Sequence, residues 1–79
     1  MASKIYIIGI MVENFESTNK INDILHEKRC NVLGRLGLPN AKGNTSVISI
    51  VLDEPEEQIA DLTERLSSLP GVRVATLGA

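Results

Sequence analysis

The stretch Leu66-Ser67-Ser68-Leu69-Pro70-Gly71-Val72-Arg73-Val74 ends one helix and starts one strand. Proline cannot continue a helix, and glycine accepts the left-handed conformation just past a helix end. The chain therefore turns at Pro70-Gly71 before Val72 and Val74 begin an alternation. Reading backwards, Ile59, Leu62, Leu66 and Leu69 recur at helical spacing. Asp53-Glu54-Pro55-Glu56 opens that helix, with proline in its first turn and Asp53 placed for a capping-box pair with Glu56. Glu54, Glu56 and Glu57 sit where the helix dipole favours anions. Before them, Thr45 to Asp53 reads as a strand that is apolar on both parities, Ile48, Ile50 and Leu52 on one side and Val47 and Val51 on the other.

The same strand-helix-strand unit occurs earlier in the chain. Lys4 to Glu13 is a first strand, again apolar on both parities, so it belongs at the centre of a sheet. Asn14 offers an N-cap to a helix from about Phe15 to Arg29, whose inward stripe is Thr18, Ile21, Ile24, Leu25 and the stem of Lys28, with Glu16, Asn19, Lys20, Asp23 and Glu27 in water. Val32 to Leu38 is a strand weakened by Gly34 and Gly37 and ended by Pro39, which suits an edge. Asn40 to Asn44 forms the hairpin loop.

Strand-helix-strand twice over, with short connections, is the split βαβ pattern of the ferredoxin-like α+β fold. Right-handed crossovers give an antiparallel sheet of strand order 4-1-3-2 with both helices on one face, a single domain over residues 1–79. Ile8, Ile10, Val12, Ile48, Ile50, Val72 and Val74 are expected to face the helices. Ile5, Ile7, Gly9, Met11, Val47, Ser49, Val51 and Ala75 then lie on the face that nothing in the chain covers. Each large side chain left in water there forgoes roughly 1.5–3 kcal/mol, so the face is expected to be the contact surface of a homodimer or homotetramer.

Composition excludes several functions. At 79 residues, with one cysteine, no internal disulfide staples the core. Cys30 alone, after a start that lacks the regions of a secretory signal, points to the reducing cytoplasm. The apolar run from Ile5 to Val12 is too short to span a bilayer. Eight basic against ten acidic residues leave a net charge of −2, and the aromatics are one Tyr and one Phe. Neither phosphate neutralisation nor base stacking is well supplied, so direct nucleic-acid binding is not expected.

Candidate chemistry is sparse. His26 and Cys30 stand four apart, but a zinc site wants three or four ligands and the chain has no other His or Cys. No metal or cofactor is expected; the alternative is a nickel- or zinc-responsive site built from His26 and Cys30 of two subunits. A nucleophilic Cys30 lacks a positioned acid and oxyanion donors, so no catalytic residue is assigned. Gly34-Arg35-Leu36-Gly37 sits in a strand and has no phosphate-loop lysine. Arg35 shares a parity with Leu33 and Gly37 and has room beside it for an anion, a ligand carboxylate or a partner's acid; the plainer reading is a solvated arginine guarding the edge. Arg35, Gly37 and Asn14 are the candidate ligand-binding residues, Asn14 doubling as a helix cap.

Val12-Glu13-Asn14, Ile21 to His26, Gly34-Arg35-Leu36-Gly37-Leu38-Pro39, Ser46 to Asp53, Leu62 to Leu66 and Pro70-Gly71-Val72 resemble a family of small stand-alone proteins named as iron-only hydrogenase system regulators. The resemblance covers nearly the whole chain and implies a fold like that of ACT domains and of the C-terminal, metal-binding domain of the nickel-responsive repressor, which oligomerise through the sheet. It further implies a non-enzymatic regulatory module that senses a small molecule or docks on a protein partner. His26, Arg35, Gly37 and Pro39 match the family pattern. Lys28-Arg29-Cys30-Asn31 departs from the Tyr-Gly-Asp-like turn expected there, which makes Cys30 peculiar to this chain. Glu13-Asn14-Phe15 lacks the glycine that ACT domains commonly carry beside their amino-acid pocket.

Overall fold

The computed structural model describes residues 2–78. The strands are β1 (Lys4–Val12), β2 (Val32–Lys42), β3 (Thr45–Glu54) and β4 (Val72–Gly78); the helices are α1 (Thr18–Glu27) and α2 (Glu56–Ser67). They form one antiparallel sheet in the order β2-β3-β1-β4, the ferredoxin-like arrangement expected. Strands 1 and 3 lie at its centre, in register from Lys4 opposite Glu54 to Val12 opposite Ser46.

The core follows the parity of the central strands. Tyr6, Ile8, Ile10 and Val12 of β1 and Ile48, Ile50 and Leu52 of β3 are buried against Ile21 and Leu25 of α1 and Ile59, Leu62 and Leu66 of α2. Val72 is buried with them, while Val74 and Leu69 pack at the margin.

Gly71 fastens the two repeats together. It sits at φ +68°, and a Cβ built there would lie 2.7 Å from the Cβ of Asn14. The Glu13 amide donates to the Gly71 carbonyl at 2.7 Å, and the buried Ser17 hydroxyl donates to the Pro70 carbonyl at 2.8 Å. The Pro-Gly turn is therefore a packing joint as well as a helix stop.

The element ends differ from expectation in four places. The first helix is preceded by a tight 3-10 turn at Phe15–Ser17, capped by Asn14, whose Oδ1 accepts from the Glu16 amide at 3.0 Å. A second such turn, Arg29–Asn31, follows after Lys28 leaves helical geometry at φ −101° and ψ 7°. No capping box forms at α2, where Pro55 is the N-cap without a side-chain bond. The residue before a proline favours extended backbone, and β3 stays paired with β1 through Asp53 and Glu54, which holds Asp53 away from the helix. Finally, β2 runs past Pro39 to Lys42, so the turn shrinks to Gly43-Asn44. An edge strand tolerates the missing donor, and the ladder is irregular between Leu38 and Lys42, with Asn40 at φ +53°.

Candidate functional site

A trough runs between α1 and β2. Its first section, of about 360 Å³, is lined by Asn22, Leu25, His26, Arg29, Val32, Arg35 and Ile50. Asn22 and Arg35 also border a narrower section with Gly37, and Thr18, Pro39 and Ser46 connect that section to a wider one of about 620 Å³ containing Asn14 and Phe15. The candidates Arg35, Gly37 and Asn14 thus lie along one feature, with Arg35 at its middle and Asn14 at its end.

Arg35 reaches this position through a β-bulge. The β2–β3 register shifts between Val32 and Gly34, after which Arg35 pairs with Ile50 and Gly37 with Ile48, both helix-facing positions. Arg35 and Gly37 accordingly share a face, as expected, but Leu33 falls in the bulge and does not share it. Arg35 Nη2 donates to Asn22 Oδ1 at 2.6 Å, a bond that spans the trough from strand to helix. No added Cβ at Gly37 would meet an atom within 4 Å, so its missing side chain keeps the wall low and relieves no clash.

His26 joins Arg35 in the first section, whereas Cys30 is exposed and does not line it. Among the described residues, no group of three or more His, Cys, Asp or Glu side chains gathers where a metal could be held. Arg29, by contrast, was not singled out as a site residue by the sequence reading. Its Nη1 donates to the His26 carbonyl at 2.9 Å, which anchors the guanidinium at the C-terminal end of α1. The spacing Asn22, His26, Arg29 was the available signal, since residues four and three apart share one side of a helix.

A second missed feature joins the end of α1 to the end of β3 and the first turn of α2. Lys28 Nζ is 3.6 Å from the carboxylate of the buried Glu54 and donates to Gln58 Oε1 at 2.7 Å. At the outer surface, Arg65 of α2 grips Glu27 of α1 through two bonds of 3.0 and 2.9 Å. Hydrogen bonding and charge from Arg65 hold the Glu27 carboxyl below the usual carboxylate range, and the same bond raises the Arg65 guanidinium.

The opposite face of the sheet carries no helix. Across its middle, Leu36, Ser49, Gly9 and Ala75 stand in one row. Leu38, Val47, Met11 and Arg73 form the row on one side, and Gly34, Val51, Ile7 and Leu77 the row on the other. Small side chains between larger ones make a furrow across an apolar surface. No added Cβ at Gly9 would meet an atom within 4 Å, so the furrow is open at its centre. Ile5, Ile7, Met11, Leu36, Leu38 and Leu77 are all substantially exposed.

Residues 4–76 match the model of the TM1266-like family, described as "Iron-only hydrogenase system regulator, putative". The chain belongs to this family. Its structure is similar to that of the uncharacterized protein TM1266 from Thermotoga maritima, with 30% identity, a TM-score of 0.89 and 96% of each chain covered. The C-terminal domain of the MgtC protein from Mycobacterium tuberculosis shares the fold at 15% identity and a TM-score of 0.78, covering 99% of this chain and 89% of that one. So does CPII, a nitrogen regulatory PII-like protein from Thiomonas intermedia K12 bound to ADP, AMP and bicarbonate, at 23% identity and a TM-score of 0.53, covering 95% of this chain and 89% of that one. No functionally curated protein matches. No helix among the described residues is long and apolar enough to cross a membrane.

Proposed function

We propose that this protein is a non-enzymatic, ACT-like cytoplasmic regulatory module of one domain that works as a homodimer or homotetramer, using the helix-free sheet face as its subunit contact. The observation that carries this reading is the apolar surface around the Gly9 furrow, made by the exposed Ile7, Met11, Leu36, Leu38 and Leu77 with the half-buried Val47 and Val51 between them. Surfaces of that kind on small domains mark association sites. Membership of a family named for hydrogenase system regulation supports a regulatory role. In this reading the module senses a small molecule or docks on a protein, and Ile7, Gly9, Met11, Val47, Ser49, Val51 and Ala75 are the interface. Any effect on transcription passes through another protein.

Sedimentation equilibrium tests the assembly. The wild type should be at least dimeric at micromolar concentration. Met11→Lys or Val47→Lys should dissociate it with the circular dichroism spectrum preserved, because a buried charge without a partner is costly. A wild-type monomer at about 100 μM, far above the concentrations at which stable homo-oligomers separate, would remove the proposal.

A further inference from the structure

We infer that the first section of the α1–β2 trough is a binding site for a small organic anion, a carboxylate or phosphate head joined to an apolar body. This deepens the sensor part of the reading above and stands separately from the assembly part. The chain has four arginines. Arg65 pairs with Glu27 and Arg73 with Glu13. Among the described residues, Arg29 and Arg35 have no acidic partner, and these two line the same cleft. No Asp or Glu lines it with them. Among the described residues, a protein of net charge −2 thus places the two arginines that lack an acidic partner around one concavity.

Both guanidiniums are also positioned. Arg35 is held by the Asn22 carbonyl oxygen and Arg29 by the His26 backbone carbonyl. Each hydrogen bond uses one of five N–H donors, leaving the remainder of both forks for an oxyanion. Two arginines approaching from different elements suit an anion with several acceptor oxygens better than a single surface counterion would require. Leu25, Val32 and Ile50 supply the apolar part of the lining, and a cleft of about 360 Å³ fits a small molecule rather than a peptide. His26 and Asn22 are the other polar residues of the lining.

Nuclear magnetic resonance titration of the full chain with benzoate, inorganic phosphate and the uncharged benzamide tests the site. Benzoate, phosphate or both should shift the backbone amides of Asn22, Val32 and Arg35 saturably, and benzamide should not. Arg29→Gln and Arg35→Gln should each weaken the binding by about tenfold or more, whereas Arg73→Gln should leave it unchanged. The more tightly bound oxyanion identifies the headgroup. Absence of saturation by either anion at about 20 mM overturns the inference. So does equal binding of benzamide, or equal loss in Arg73→Gln. Sedimentation of Arg35→Gln keeps the two readings apart: an assembled variant that binds no anion counts for this site, and a wild-type monomer that still binds anion counts against the assembly alone.

Discussion

Ile10 and Met11 are neighbours in β1, similar in size and hydrophobicity, yet Ile10 has no exposed surface and Met11 keeps 48% of its own. A milder split divides the buried Ile50 from the half-buried Val51 in β3. A sheet covered on one face needs apolar residues on one parity only, and the solvated parity is ordinarily polar. Here both parities of both central strands are apolar, which is why the second is proposed above as a subunit contact. Lys, Glu and Asp are absent from the middle of the open face, and Asp53 stands at one end of it, opposite Ile5.

The largest effect that separates the two faces is truncation in the core. Ile10→Ala should cost about 2–5 kcal/mol of unfolding free energy, from lost burial and a cavity, at every protein concentration. Met11→Ala removes a comparable side chain from the open face. Its deficit relative to wild type should grow as protein concentration rises, because in the proposed assembly the lost contact is between subunits and mass action governs it. Denaturant melts at two concentrations about a hundredfold apart read both outcomes. A Met11→Ala deficit that does not depend on concentration would make the open face an ordinary exposed surface.

Gly71→Ala comes next and attacks the joint that holds the covered side closed. The new methyl group meets Asn14 at 2.7 Å while the backbone is held at φ +68°. Strain and clash together should cost about 2 kcal/mol, and thermal unfolding reads it directly. Gly9→Ala is the counterpart on the open face. Its backbone is ordinary strand and its Cβ meets nothing within 4 Å, so the isolated subunit should tolerate it; filling the furrow should weaken only self-association.

The fold was legible because its determinants are local: proline and glycine at the helix stop, and a period of two against a period of 3.6 on either side. The helix-facing parity of strands 1, 3 and 4 could be assigned for the same reason. Where the reading slipped, a long-range partner overrode a local signal. Asp53 looked like a cap because Glu56 follows at the right spacing, but pairing with β1 keeps it in the strand. Helix 1 looked continuous from Phe15 because nothing local announces that Ser17 bonds the Pro70 carbonyl, 53 residues away. The site was half legible. Arg35 drew attention through its glycine neighbours, but the β-bulge that aims it at α1 has no sequence mark, and Arg29 was read only as the end of the first helix and part of the turn after it.

The pair of the half-buried Lys28 with the buried Glu54 gives a smaller effect. Lys28→Met leaves the Glu54 carboxylate buried without its cation and should cost about 1–2 kcal/mol, less than a fully enclosed pair because the ammonium keeps contact with water. Adding Glu54→Leu should recover most of that loss, since the double variant no longer buries a lone charge. Equilibrium unfolding of the two single variants and the double closes the cycle. Recovery would mean that the pair orders the helix layer more than it stabilises it.

The weakest expected effect lies farthest out, where Arg65 clips α2 to α1 through Glu27. Both side chains are solvated, so the pair adds little at neutral pH and its contribution falls with salt. Its sign against pH is nevertheless fixed. The folded Glu27 carboxyl titrates below its unfolded value because Arg65 donates to it and attracts its charge. The unfolded chain therefore takes up the proton first as pH falls, and the stability contributed by the pair is complete above the unfolded carboxylate range and lost as pH drops through the folded value. Arg65 shifts upward by the same bond, so its part of the linkage is lost only in strong alkali. Wild type and Glu27→Gln should thus differ slightly at pH 7 in low salt and converge in acid, as read by denaturant midpoints. The open face holds no titrating residue in its central rows apart from Arg73, so self-association should persist through the same acid interval; loss of both together would tie the subunit contact to the helix layer instead of the sheet.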